Sequence, residues 1–163
     1  MSSPATNPNG PIATLFPGYF ALVMATGIIS IATEQQDLHG LALALYTVAA
    51  VGYVVLWVLL VLRIVRFPRL FLADATDHAK GFAFLTTVAG TNVLGSACGI
   101  VMGWWDLAWI LWWLSLPVYV ILLYITLIAV VIGSNKPGLA GGINGTWFLI
   151  IVATQSVAVL GAL

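Results

Sequence analysis

Residues 107–132 read LAWILWWLSLPVYVILLYITLIAVVI, twenty-six residues without a charged side chain. Coiled as an α-helix at 1.5 Å per residue, such a segment is about 39 Å long, more than the roughly 30 Å of hydrocarbon in a bilayer. Lipid offers no hydrogen bonds to a bare backbone, so a segment of this kind crosses as a helix that satisfies itself internally. Four further apolar stretches flank it at about residues 16–33, 41–62, 81–102 and 147–163. The last is about 17 residues long, at the short limit for a crossing. The whole chain agrees: of 163 residues 62% are apolar and 6% charged, where a soluble domain carries about a quarter charged. The expected fold is therefore all-α, a polytopic membrane helical bundle with the lipid bilayer as its main partner.

The few charges set the expected orientation. Arg63, Arg66, Arg69 and Lys80 lie between the second and third stretches and Lys136 between the fourth and fifth, all on one side. The other side receives Glu34, Asp37 and Asp106 and no Lys or Arg. Basic loops stay in the cytoplasm, so the N-terminus is expected to be cytoplasmic, in a multi-pass protein of the plasma membrane. Residues 1–15 are rich in Pro, Asn, Ser and Thr and lack the positive charge of a secretory signal; they read as a disordered tail. Trp104, Trp105, Trp109, Trp112 and Trp113 cluster at the outer end, where indole rings anchor at the interface; an aromatic ligand cage is the alternative. The loop around Phe67, Leu70, Phe71 and Leu72 reads as a segment lying on the cytoplasmic lipid surface.

The odd stretches differ from the even ones. The second and fourth are bulky and, beyond hydroxyls, nearly free of polar groups. The first, third and fifth read YFALVMATGIISIA, AFLTTVAGTNVLGSA and WFLIIVATQSVAVLGA. They align without a gap: Phe20, Phe84 and Phe148 coincide, as do Ala25, Ala89 and Ala153, each 64 residues apart. A fixed period of this length marks a repeated supersecondary unit, here a hairpin of one inner (odd) and one outer (even) helix. Small residues let inner helices approach closely; Gly95 and Gly99 form a GxxxG in line with Thr91. Taken singly, each polar residue on these helices serves equally as an interhelical tie. Confined as a set to alternate spans, they point to the lining of a central pathway. The candidates are Phe20, Thr26, Gly27 and Ser30 on the first span, and Phe84, Thr87, Gly90, Thr91 and Asn92 on the third. Phe148, Thr154 and Gln155 complete the set on the fifth. Gly27 and Gly90, each beside a Thr, are candidate helix breaks.

Several function classes are disfavoured. Net charge is zero, which removes the basic patch a nucleic acid requires. No Lys, Arg, Asp, Glu or His falls inside the spans as bounded above, which argues against proton relays and voltage-sensing arrays. Cys98 is the single cysteine; His39 and His78 are the only histidines and fall at opposite faces. No catalytic, cofactor or metal site is expected, and no enzyme. The sequon Asn144-Gly145-Thr146 falls on the cytoplasmic side and is discounted. What remains is passive or weakly coupled permeation of a small anion through a neutral pore of hydroxyls, amides and backbone dipoles. The alternative is a truncated or structural membrane subunit without transport of its own.

Three segments carry a family resemblance: FPGYFALVMATGIISIA (Phe16 to Ala32), DATDHAKGFAFLT (Asp74 to Thr86) and NGTWFLIIVATQSVAVLGA (Asn144 to Ala162). Together they resemble the tellurite-resistance/C4-dicarboxylate transporter family, related to the slow anion channels of plants. The resemblance implies a ten-helix bundle of five hairpins, odd helices inside, of which this chain spans the N-terminal half. It also implies small permeants of the C4-dicarboxylate, tellurite, sulfite, chloride or nitrate class, and a homo-oligomer, a trimer in some members. The phenylalanine regarded as the family's pore gate lies on the ninth helix, which this chain does not contain.

Overall fold

The computed structural model describes residues 10–78, 80–132 and 145–163. Lys136, Asn144 of the sequon, and the first nine residues of the expected tail lie outside them. Among the described residues the order is α1 (Gly10–Ala13), α2 (Ala21–Glu34), α3 (His39–Arg66), α4 (Pro68–Ala75), α5 (Leu85–Met102), α6 (Trp105–Ile132) and α7 (Leu149–Ala162). Five helical segments among the described residues are long and apolar enough to cross a membrane: Pro17–Glu34, His39–Arg66, Gly81–Met102, Trp105–Ile132 and Gly145–Ala162. An all-α membrane bundle is what the hydropathy requires.

The 64-residue period is visible in the backbone. Each odd span opens with one turn of 3₁₀-helix, at Pro17–Phe20, Gly81–Phe84 and Gly145–Phe148. Each turn ends on the repeated phenylalanine and runs directly into α-helix. Pro17 sits where its missing N–H costs nothing. The even spans α3 and α6 are both 28 residues long. Pro117 lies inside α6 without ending it, as membrane helices tolerate.

The two hairpins turn differently. Between α5 and α6 the chain reverses at Gly103, whose φ of 70° is left-handed, with the Gly103 and Trp104 amides bonded to the carbonyls of Gly99 and Cys98. Such a cap needs a residue without Cβ strain. Between α2 and α3 the left-handed position is Asp37, at φ 59°, and His39 Nδ1 meets the Glu34 carboxylate at 2.8 Å across the turn.

Packing is centred on α5, which touches α2, α3, α6 and α7. The third span is 89% buried, the first only 28% and the fifth 11%. Among the described spans the third alone is enclosed. The first and fifth pack against it on one side and present their opposite faces outward. Close approach depends on glycine: a Cβ on Gly27 would lie 2.8 Å from Val93, and one on Gly99 2.5 Å from the Trp105 ring. Gly27 and Gly90 lie inside unbroken helices, so they are points of close contact and not helix breaks. Gly95 and Gly99 seat Leu160 and Trp105, whereas Thr91 is turned to α3, where Tyr53 meets it at 3.0 Å.

The basic end departs from expectation in two ways. The second span does not stop before Arg63; α3 runs through Arg66, and the Arg63 side chain is fully buried (0% exposed). It is held by Asp74, which α4 folds back over it, so a charge that would be intolerable alone in lipid is paired. Lys80 Nζ reaches the other Asp74 oxygen at 2.9 Å. Burial tends to raise the Asp74 carboxyl pKa, but hydrogen bonds and charges from Lys80 and Arg63 outweigh it and hold the pKa below its usual value. The remaining Arg63 donors tie down the chain before the first span: Nε to the Ala13 carbonyl at 3.1 Å, Nη1 to that of Leu15 at 2.6 Å. Residues 10–15, read from sequence as part of a disordered tail, thus carry α1 and a fixed attachment. In α4, Phe71 packs on Phe84 with ring centroids 5.0 Å apart, while Arg69, Leu70 and Leu72 face outward.

Candidate functional site: an apolar groove between the odd spans

The three odd spans enclose a groove of about 270 Å³. Its walls are aliphatic, with Ile28 from α2, Val93 from α5 and Val159 from α7 among them. Three polar side chains reach it: Ser96 on α5, and Gln155 and Ser156 on α7. Ser156 is already committed, donating to the Ala153 carbonyl at 2.7 Å and accepting from Asn92 at 3.3 Å. The Ser96 hydroxyl and the Gln155 amide have no hydrogen-bond partner among the described residues, which leaves their donors for whatever occupies the groove. No charged side chain lines it.

The other candidates from sequence are placed behind this surface. Ser30 donates to the Ala42 carbonyl of α3 at 2.7 Å. Thr91 is paired with Tyr53, and Thr87 donates to the Phe84 carbonyl at 2.7 Å. Asn92 is fully buried; its carbonyl accepts from Ser115 of α6 at 2.9 Å, and its amide reaches Val88 at 3.0 Å besides Ser156. Thr154 meets Tyr119 of α6 at 2.7 Å. Thr26 bonds back to Leu22 of its own helix at 2.7 Å. Of the hydroxyl and amide candidates, Gln155 alone lines the groove. The physical reason is that an apolar surround forces a short polar side chain onto the nearest backbone or neighbouring helix. Ser30, Thr91, Asn92 and Thr154 therefore act as ties from inner to outer helix. Trp112 adds another, its indole N–H bonded to the Val157 carbonyl at 2.9 Å.

The aromatic triplet separates too. Phe20 and Phe84 are each 1% exposed, Phe20 against Tyr53 and Trp57 of α3 and Phe84 against Phe71. Phe148, at the equivalent position, is 69% exposed. Gly90 lies against the Phe20 backbone, with 3.4 Å from a built Cβ to its carbonyl oxygen.

Sequence reading missed Ser96. Its signal was present in the sequence, a lone hydroxyl in the GSA run of the most polar span, but nothing local distinguishes it from Thr91 or Thr87. Among the described residues no three His, Cys, Asp or Glu side chains cluster as metal ligands do, and His39 and His78 stand at opposite ends of the bundle.

A neutral groove of this kind offers an ion hydrogen-bond donors and dipoles without a counter-charge. A protein-family model described as SLAC1, voltage-dependent anion channel, matches residues 14–163. No curated protein and no solved structure matches the chain.

Proposed function

The chain belongs to the voltage-dependent anion channel family, and from that premise we propose that it lines a passive path for small anions along the groove of its odd helices. The observation that carries the reading is the groove wall itself: largely aliphatic, uncharged, and with Ser96 and Gln155 on it having no hydrogen-bond partner among the described residues. An anion leaving water loses strong hydration. Neutral N–H and O–H donors replace part of it without holding the ion tightly, which favours throughput over affinity. The permeants fitting such a wall are weakly hydrated or small oxyanions and halides, the class that includes nitrate, chloride, sulfite and tellurite, with C4-dicarboxylates as the larger members. The other polar residues of the odd spans position the helices and do not touch the ion. The basic end faces the cytoplasm of a plasma membrane, by the positive-inside rule.

In one chain the groove is open along a side, and Phe148 lacks the cover that Phe20 and Phe84 have. A closed path needs further helical surface there; a homo-oligomer, trimeric as the family resemblance implies, supplies neighbours for it. The same observation supports the second reading, a structural subunit that conducts only in company.

The test is flux into liposomes holding only this purified chain, with chloride, nitrate, sulfite, malate and tellurite compared with potassium. The proposal expects anions to pass in preference to potassium, and Gln155→Leu to lower that flux severalfold while the protein still folds. A cation preference overturns it. An inserted, folded chain without flux favours the structural reading.

A further inference from the structure

The second cavity of note lies at the basic end, away from the groove. It holds about 390 Å³ between the segment before the first span, the end of α3, α4 and Lys80. Its polar lining is Thr14, Arg63, Asp74 and Lys80, and its apolar walls include Phe16 and Leu70. We propose that this pocket binds the phosphate headgroup of an anionic phospholipid from the leaflet at the basic end of the bundle.

Four features support the assignment. Arg63 is a built donor, fully buried and aligned by the Ala13 and Leu15 carbonyls and by Asp74. A guanidinium carries five N–H groups and an ammonium three; Arg63 uses three and Lys80 one in these contacts, so donors remain on both. Asp74 grips the two cations through opposite oxygens and fixes their spacing, leaving one net positive charge in the pocket. Lys80 is half exposed (52%) at the mouth.

The site also sits at the depth of a headgroup. Arg63 is in the last turn of a membrane-crossing helix, where basic side chains meet the interface. Around the pocket, Phe16, Leu70 and Leu72 are exposed, an apolar rim suited to acyl and glycerol groups and without purpose for a soluble ion. Over residues 63–80 four cations face two carboxylates, and basic pockets between membrane helices bind anionic headgroups.

The experiment uses the full chain in a neutral detergent, followed by thermal melting. Phosphatidylglycerol, phosphatidylcholine and millimolar inorganic phosphate are added in separate arms. The proposal expects phosphatidylglycerol to raise the melting temperature in a saturable way, and the other two to leave it in place. Lys80→Gln should weaken the apparent lipid affinity about five- to tenfold. Lys80→Arg should retain the affinity, and Arg66→Gln with Arg69→Gln, outside the pocket, should weaken it less than Lys80→Gln does. Equal stabilisation by phosphatidylcholine overturns the proposal. So does stabilisation by inorganic phosphate alone, which makes the site one for a soluble anion. A larger loss from the Arg66/Arg69 pair than from Lys80→Gln also overturns it, because the binding is then diffuse surface charge.

Discussion

Replacing Arg63 by Met isolates the attachment of the segment before the first span. Methionine fills similar length with an apolar chain but has no donors, so the Ala13 and Leu15 carbonyls lose their partners at 3.1 and 2.6 Å. Asp74 keeps Lys80 and remains partly exposed, so its own loss is small. Each bond from a charged donor contributes about 1.5 kcal/mol at the low end of the usual range. The two together come to about 3 kcal/mol, on the order of a hundredfold in the local opening equilibrium. The segment can regain hydrogen bonds to water by peeling off, so the loss should appear as local opening and not as collapse of the bundle. Hydrogen exchange read by mass spectrometry in detergent micelles measures it. Amides of residues 12–19, including those of Leu15 and Tyr19 that now bond to Ile12 and Phe16, should exchange on the order of a hundredfold faster. Those of α5 should be unchanged. Arg63→Lys should fall between, because a lysine keeps the charge without the three-way fork. An increase below about threefold, or an equal rise throughout α3 and α5, refutes the reasoning.

Four further outcomes are expected. Gly81→Ala places a Cβ 2.7 Å from the Ala75 carbonyl oxygen, a backbone atom that cannot swing aside, and should cost about 1–3 kcal/mol; Gly40→Ala meets nothing within 4 Å and should stabilise α3 by about 0.5–1 kcal/mol, both read in denaturant titrations. Asn92→Ala removes the bonds to Ser115 and Ser156 that join α5 to α6 and α7, each worth about 0.6 kcal/mol in a bilayer; the loss should be about 1 kcal/mol, and a neutral result would mean the two serines find other partners. The Asp74 pKa is depressed in the fold, so its contribution is complete above roughly pH 4 and is lost as pH falls through the lower folded value; melting temperature should be flat with respect to this group from pH 5 to 8 and fall in stronger acid, and Asp74→Asn should remove that acid dependence.

Much of the architecture was legible in the sequence because its signals are strong and local. A run such as residues 107–132 has one stable state in lipid, a helix that satisfies its own backbone. The 64-residue spacing of Phe20, Phe84 and Phe148 marked a repeated unit, and in the structure each odd span opens with the same 3₁₀ turn ending on that phenylalanine. Where expectation and structure part, the cause is a contact distant in sequence. Arg63 read as a loop residue because nothing near it shows that α4 returns Asp74 to it. Gly27 and Gly90 read as weak points in helices, while Val93 and the Phe20 backbone need the room they leave.

The sequence by itself determined that the chain is an all-α membrane protein with five long apolar helical stretches, how the odd stretches repeat, and the family they resemble; each follows from composition and spacing along the chain. Only the tertiary structure decided which polar side chains are already used and which remain free. A threonine on an apolar helix carries no mark of the neighbour it faces, since adjacent positions differ by about 100° around the axis. Thr91 and Thr154 are bonded outward to Tyr53 and Tyr119, 38 and 35 residues away. Ser96 and Gln155 are left at the groove because packing around α5 turns their faces there, and that arrangement is a property of several helices together.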